Sequence, residues 1–229
     1  MGNSVWTDSE PQNLIGASII PTIRRAGSLA AAQIGKVGWV LGKILVAAGT
    51  AAAKAGGNTG TGTLTGFALA AGGPAKVGTY RVRCILAQAD AGVFTVVDPD
   101  GIIVGIVIAA ITTGTVFTGG GITFTLTTVH SADFIVGDGF DLPVAAGAGT
   151  LRLLDRTAVD GSNKFDSILL VDKTTVGSAL PVATAIGGEF LSQGLIFAAG
   201  TVLADVINQM TAAGCYVVTS SALENTVGR

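Results

Sequence analysis

Side chains that carry chemistry are scarce in this sequence. There is one histidine, His130, so neither a His-based triad nor a multi-histidine metal site can be built within one chain. The aspartates Asp98, Asp100, Asp133, Asp138 and Asp141 all fall in turn sequence, and the closing bidentate Glu of an EF-hand loop is missing. The glycine-rich stretch GGNTGTGTLTG at 56–66 lacks the Gly-Lys-Ser/Thr ending of a P-loop and reads as a linker running into a strand. No carboxylate pair sits in a context that would raise a pKa for acid/base work. These absences argue against an enzyme, a metal and a cofactor.

Cysteine is equally sparse. Cys84 and Cys215 lie far apart, form no C-x-x-C pair, and each sits in an apolar run, which predicts two buried free thiols. Only 12% of residues are charged. Residues 1–50 hold four basic and two acidic side chains, 51–143 four and six, and 144–229 five and seven, so no block has the basic excess that neutralising phosphates requires. Nucleic acid is therefore not expected as a partner. The N-terminus, MGNSVWTDSEPQ, lacks the basic and apolar regions of a secretory signal, and Trp6 stands where a myristoylation signal needs Ser or Thr. Gly101–Ala132 carries no formal charge, but its apolar run covers only Ile102–Ile111 and is β-branched, which argues against a membrane-spanning helix.

What the chain does have is apolar and small: 49% hydrophobic residues and 34 glycines. A surface so poor in charge suits a protein packed against other subunits. Residues 1–27 read as an extended arm whose apolar content, Trp6, Leu14, Ile15, Ile19, Ile20 and Ile23, ends in the paired basics Arg24 and Arg25. Residues 28–50 hold an apolar strand around Trp39 and Leu41, and AAAKA at 51–55 suggests a helical turn.

Residues 56–142 read as a self-contained β module. Tyr80, Val82, Cys84 and Leu86 alternate onto one strand face, and Asp98-Pro99-Asp100-Gly101 closes a hairpin between FTVV and IIVGIVI. Gly119–Gly121 closes a second hairpin. Six or seven short strands in this span indicate a small sandwich or barrel. From residue 143 on, strands are expected at 151–154, 167–171, 180–185 and 188–197. A helix follows from Thr201 or Ala204 on Val202, Val206, Ile207 and Met210, stopped at Gly214 before a closing strand at 215–218. The fold class is mainly β: a small β-rich domain from the two flanks, 28–55 and 143–229, with one short C-terminal helix, plus an inserted β domain at 56–142.

The flanks also resemble the lambda-type head decoration proteins of tailed bacteriophages. The likeness is carried by SLAAAQIGKVGWVLGKI (28–44), by AVDGSNKFDSILLVD (158–172) with its Asp160-Gly161-Ser162 turn, by GGEFLSQGLIF (187–197) with Glu189 and Phe190, and by the terminal ADVINQMTAAGCYVV. The central block resembles a β module inserted at this point in such proteins. The resemblance implies a β-tulip-like homotrimer on the outer surface of the expanded capsid, made in the bacterial host cytoplasm. It would bind the major capsid protein at three-fold positions and stabilise the head without touching DNA. The arm would contact the shell, Trp39, Leu41 and the turn and Glu189-Phe190 motifs would serve the trimer or core, and the insert would project outward. Other roles consistent with the same sequence are an outward-facing module binding carbohydrate on a host surface, or a tail or baseplate component.

Overall fold

The structure, a computed structural model, describes residues 20–71, 73–111, 113–129 and 133–219. In chain order the first strands are β1 (Ile23–Leu29), β2 (Ile34–Gly35), β3 (Val40–Lys43), β4 (Val46–Ala48), β5 (Ala52–Ala53) and β6 (Thr63–Leu69). Next come β7 (Gly78–Gln88), β8 (Ala91–Val97), β9 (Ile103–Ala109), β10 (Thr115–Gly119), β11 (Ile122–Thr127) and β12 (Gly139–Ala146). The chain finishes with β13 (Leu151–Leu153), β14 (Phe165–Leu169), β15 (Lys173–Thr174), β16 (Leu180–Leu191), the helix α1 (Leu203–Ala212) and β17 (Cys215–Val218). The protein is mainly β with one α-helix among the described residues.

The chain divides into two compact units. Unit 1 comprises residues up to Ile44, Gly149–Ala158 and the chain from Ser162 onward; unit 2 comprises Leu45–Ala148 and Val159–Gly161. Residues 46–53, assigned from sequence to the flanks, belong to unit 2 because β4 and β5 both pair antiparallel with β12. AAAKA forms no helical turn. The Lys54 N–H donates to the Gly139 carbonyl at 2.9 Å, so the ladder takes this segment's backbone groups.

Unit 1 is a closed sheet. The strand path runs β1, β13, β3, β14, β16, and β16 returns to β1 through seven antiparallel partners from Ile23 to Leu29. Residues 23–27, expected in an extended arm, are thus a strand of the barrel. Leu29, Leu41, Leu151, Leu169 and Val182 pack together inside it, with Thr184 and Ser167 also fully buried. So narrow an interior has no room for a side chain at position 27, where a Cβ would lie 2.6 Å from Leu151 Cδ1.

A second cluster lies on the other side of the barrel strands, where Val40, Ile168, Ala185 and Phe190 meet Val206 and Met210 of α1 and Cys215 of β17. The helix begins after Val202, whose N–H donates to the Asp205 carboxylate at 2.9 Å. This is the acidic half of a capping box; Val202 offers no side-chain acceptor for the other half. It ends at Gly214, whose φ of 84° reverses the chain. β16 is one twelve-residue strand, not two: Gly188 takes a φ of 128°, open to glycine, and Gly188–Leu191 still pair in parallel with β17.

Unit 2 pairs a sheet of order β4-β12-β7-β8-β9, with β5 also on β12, and a three-stranded sheet β10-β11-β6. Both hairpins expected from sequence form, β8–β9 around 98–101 and β10–β11 around 119–121. The core is aromatic. Phe134 meets Phe94 edge-on at 5.0 Å and Phe140 at 6.0 Å, and Phe117 stacks on Phe124 at 5.1 Å. Buried Tyr80 donates its hydroxyl hydrogen to the Gly120 carbonyl and accepts the Lys76 N–H, both at 2.8 Å.

Candidate functional site

The aspartates of unit 2 hold turns together. Asp138 Oδ2 accepts the N–H groups of Gly60 and Ile135, and Oδ1 that of Thr59, at 2.9 to 3.1 Å. Burial pushes its carboxyl up. The three donors and nearby Lys54 outweigh that and hold it below the usual carboxylate range. Asp98 caps its own turn by accepting the Asp100 and Ile102 N–H groups. Its other oxygen meets Lys76 Nζ at 2.6 Å, which holds Asp98 low, while Asp100 first and Asp98 second hold Lys76 in its charged form. In unit 1, Asp155 is lowered by Thr157, and Asp172 by the Val37 N–H and Lys36. Each carboxyl with a resolved shift moves downward, opposite to what a general acid needs at neutral pH. Cys84 and Cys215 are free and buried, and burial lifts the Cys215 thiol to about 11, far from a reactive thiolate. Among the described residues no group of three or more His, Cys, Asp or Glu side chains could hold a metal, and no helix is long and apolar enough to cross a membrane.

Unit 1 carries an open groove of about 620 Å³ lined by Arg24, Arg25, Val171, Asp172, Lys173 and Pro181. Arg25 and Asp172 are engaged within the fold. Arg25 pairs with Asp166, and Asp172 takes Lys36 at 3.0 Å and the Val37 N–H at 2.7 Å.

Among the described residues, a strip of exposed aliphatic side chains runs along the outer face of β7, β8 and β9. The ladder sorts side chains onto two faces across these strands, with register shifts between Cys84 and Leu86 and between Val96 and Val97. Val107, Phe94 and Cys84 form an inward row, while Ile108, Val93 and Leu86 form an outward one. The neighbouring outward rows are Ile106–Thr95–Arg83 and Ile103–Val97–Arg81. Ile103, Ile106 and Ile108 are 61, 62 and 55% exposed, and Ile85 and Leu86 are 49 and 50% exposed. Leu86 was expected beside Cys84 in the core. A register shift between Cys84 and Leu86 turns it outward with Ile85, as a bulge does by inserting one extra residue. Beside this aliphatic strip, Arg83 donates to the Phe140 carbonyl at 2.8 Å and pairs with Asp141.

The residues singled out from sequence are not gathered into one site. Trp6, Leu14, Ile15 and Ile19 lie outside the described residues, as does His130. Ile20 is half-buried just before β1, and Ile23, Arg24 and Arg25 are on β1. Trp39 bridges to Ile196, and Leu41 is in the barrel interior. The Asp160 carbonyl accepts the Leu45 and Val46 N–H groups, Gly161 takes φ 101°, and buried Ser162 opens the return to unit 1. Glu189 faces Tyr216 across β16 and β17, and Phe190 is core. The exposed isoleucines were read as an apolar hairpin strand. The signal present was an apolar run without the polar alternation of a strand that turns one face to water.

The chain matches no protein-family model and no curated protein. Solved structures similar to it include two crystal forms of FlgL from Xanthomonas campestris, a flagellar hook-associated protein. One is 25% identical over 48% of this chain and 32% of that chain, the other 24% identical over 49% and 32%, each with a TM-score of 0.32. The match thus spans about a third of FlgL, and a likeness this slight carries no argument about fold or role. The resemblance to phage head decoration proteins is corrected: no family model of that kind, or of any other, matches this chain. Capsid decoration, head stabilisation and the tail or baseplate reading are withdrawn with it. The capsid-binding role given to the arm residues loses its support.

Proposed function

We propose that this chain is a non-catalytic structural subunit that works by contact with other protein surfaces, principally through the outer face of β7, β8 and β9. The observation that carries the reading is the group of half-exposed or more exposed aliphatic side chains on that face: Ile85, Leu86, Ile103, Ile106 and Ile108. A contiguous apolar patch of this kind on a sheet marks an interaction surface, because leaving it in water forgoes about 1.5–3 kcal/mol for each such side chain that could be fully buried. The downward-shifted carboxyls and buried thiols support the non-catalytic part. A photo-crosslinking residue in place of Ile106, in cells producing the protein, should give covalent adducts to protein, while one in place of Lys164 of unit 1 gives few. Absence of any adduct at position 106 would overturn the proposal.

A further inference from the structure

We infer that the open edge of β1 in unit 1 takes up an extended acidic segment of a partner protein as an added strand. This surface stands or falls apart from the face of unit 2 discussed above. β1 is paired along its whole length on one side only: towards β16 it has seven partners, whereas towards β13 it has the single pair Leu29↔Leu151. The direction of each backbone group follows from the hydrogen bonds around it. The Leu170 N–H donates to the Ala183 carbonyl at 3.1 Å, so Ala183 points towards β14, and its neighbours Val182 and Thr184 point towards β1. Their partners Gly27 and Arg25 therefore bond to β16, while Arg24, Ala26 and Ser28 turn their backbone groups the other way. The Ala30 N–H keeps the same phase, donating to the Leu151 carbonyl at 2.8 Å. Ala26 is exposed, and its outward N–H and C=O have no partner among the described residues.

In front of this edge lies a cleft of about 360 Å³ bounded by residues 25–28, Lys43, Gly149 and Leu151. A donor and an acceptor left open on an exposed strand are satisfied together, and in register, by another extended chain. The surrounding charge selects which chain. No acidic side chain bounds the cleft, and Lys43 has no ion pair among the described residues. The groove already described adjoins it through Arg25 and Ala26 and adds Lys173, likewise without an ion pair among the described residues. Arg25 is paired with Asp166. Acidic side chains on the added strand meet this excess of positive charge, and basic ones are repelled.

Hydrogen exchange of the full chain, read residue by residue, should show slow Arg25 and Gly27 amides with a fast Ala26 amide between them. A heptapeptide of alternating valine and glutamate, blocked at both ends, should slow the Ala26 amide and bind in fluorescence anisotropy, more weakly as salt rises. Its valine–lysine counterpart should bind at least about tenfold more weakly. Ala26→Pro removes only the outward N–H and leaves the bonds of Arg25 and Gly27 to β16, so it should abolish binding while the Gly27 amide stays slow. Lys43→Glu changes an exposed side chain and no backbone group; it should weaken the glutamate peptide about tenfold and strengthen the lysine peptide, whatever Ala26→Pro does to the barrel. A slow Ala26 amide in the chain alone would mean that the chain's own N-terminal segment or another copy already covers the edge, and overturns the inference. So does a failure of the glutamate peptide to bind, equal binding of the two peptides, unchanged binding to Lys43→Glu, or full binding to Ala26→Pro.

Discussion

In unit 1 the strands close on themselves, β1 meeting both β13 and β16, whereas in unit 2 the longer sheet ends at β4 and β9 and the shorter at β10 and β6. Closure leaves a barrel interior that accepts leucines only by alternating them with glycine and hydroxyl side chains, and it packs its outer surface against α1 and β17. The open pair of sheets encloses a wider space, filled largely by phenylalanines, and leaves aliphatic side chains exposed on the outer face of β7, β8 and β9. The apolar content of the two units is similar in kind, and what separates them is whether the topology covers both sides of a strand.

The largest effect that would break this comparison is expected in the aromatic core. Phe134→Ala removes a fully buried ring in edge contact with two others and should cost unit 2 about 3–5 kcal/mol, read by hydrogen exchange at the Phe94 and Val107 amides. In the barrel, a Cβ at position 42 would fall far inside contact distance of the Ser162 carbonyl, which belongs to backbone and cannot swing aside. Gly42→Ala should therefore cost about 3 kcal/mol, seen as lost protection at Leu41 and Ile168; full protection would mean that the barrel is looser than its packing implies.

Acid should act on unit 2 through Asp138. Its carboxyl is lower in the folded than in the unfolded chain, so its stabilisation is present above the unfolded value near 4 and is lost as pH falls through the folded one. Asp138→Asn should cost about 2 kcal/mol at neutral pH and flatten the dependence of denaturant midpoint on pH below about 4. An unchanged acid limb would assign that limb to other carboxyls. The smallest effect is in the barrel: Ser167 Oγ is buried without a hydrogen-bond partner, so Ser167→Ala should raise stability by up to about 1 kcal/mol in denaturant unfolding. A loss there would show that the hydroxyl has a partner, such as a bound water.

Several elements were legible because their causes are local. Asp98-Pro99-Asp100-Gly101 and Gly119–Gly121 specify their hairpins through backbone conformations that few other residues adopt, and Val206 and Met210 mark the buried stripe of α1 one turn apart. Both cysteines are buried, as their apolar surroundings predicted. Other elements depended on distant chain. Whether 51–55 coils or pairs was decided by the free edge of β12, whether Ile23–Gly27 is arm or strand by β16, and whether Gly187-Gly188 breaks a strand by β17. The shift at Cys84 and Leu86 left no mark in the alternation itself, so one face was assigned one residue too far.

For the candidate site the division is the same. By itself the sequence determined that β9 is an apolar, uncharged strand following a turn that contains Pro99 and Gly101. Only the tertiary structure decided that Val107 lies in the core while Ile106 and Ile108 face outward. A strand's period of two sorts side chains into two faces, but which face meets another layer is settled by strands far away in the chain.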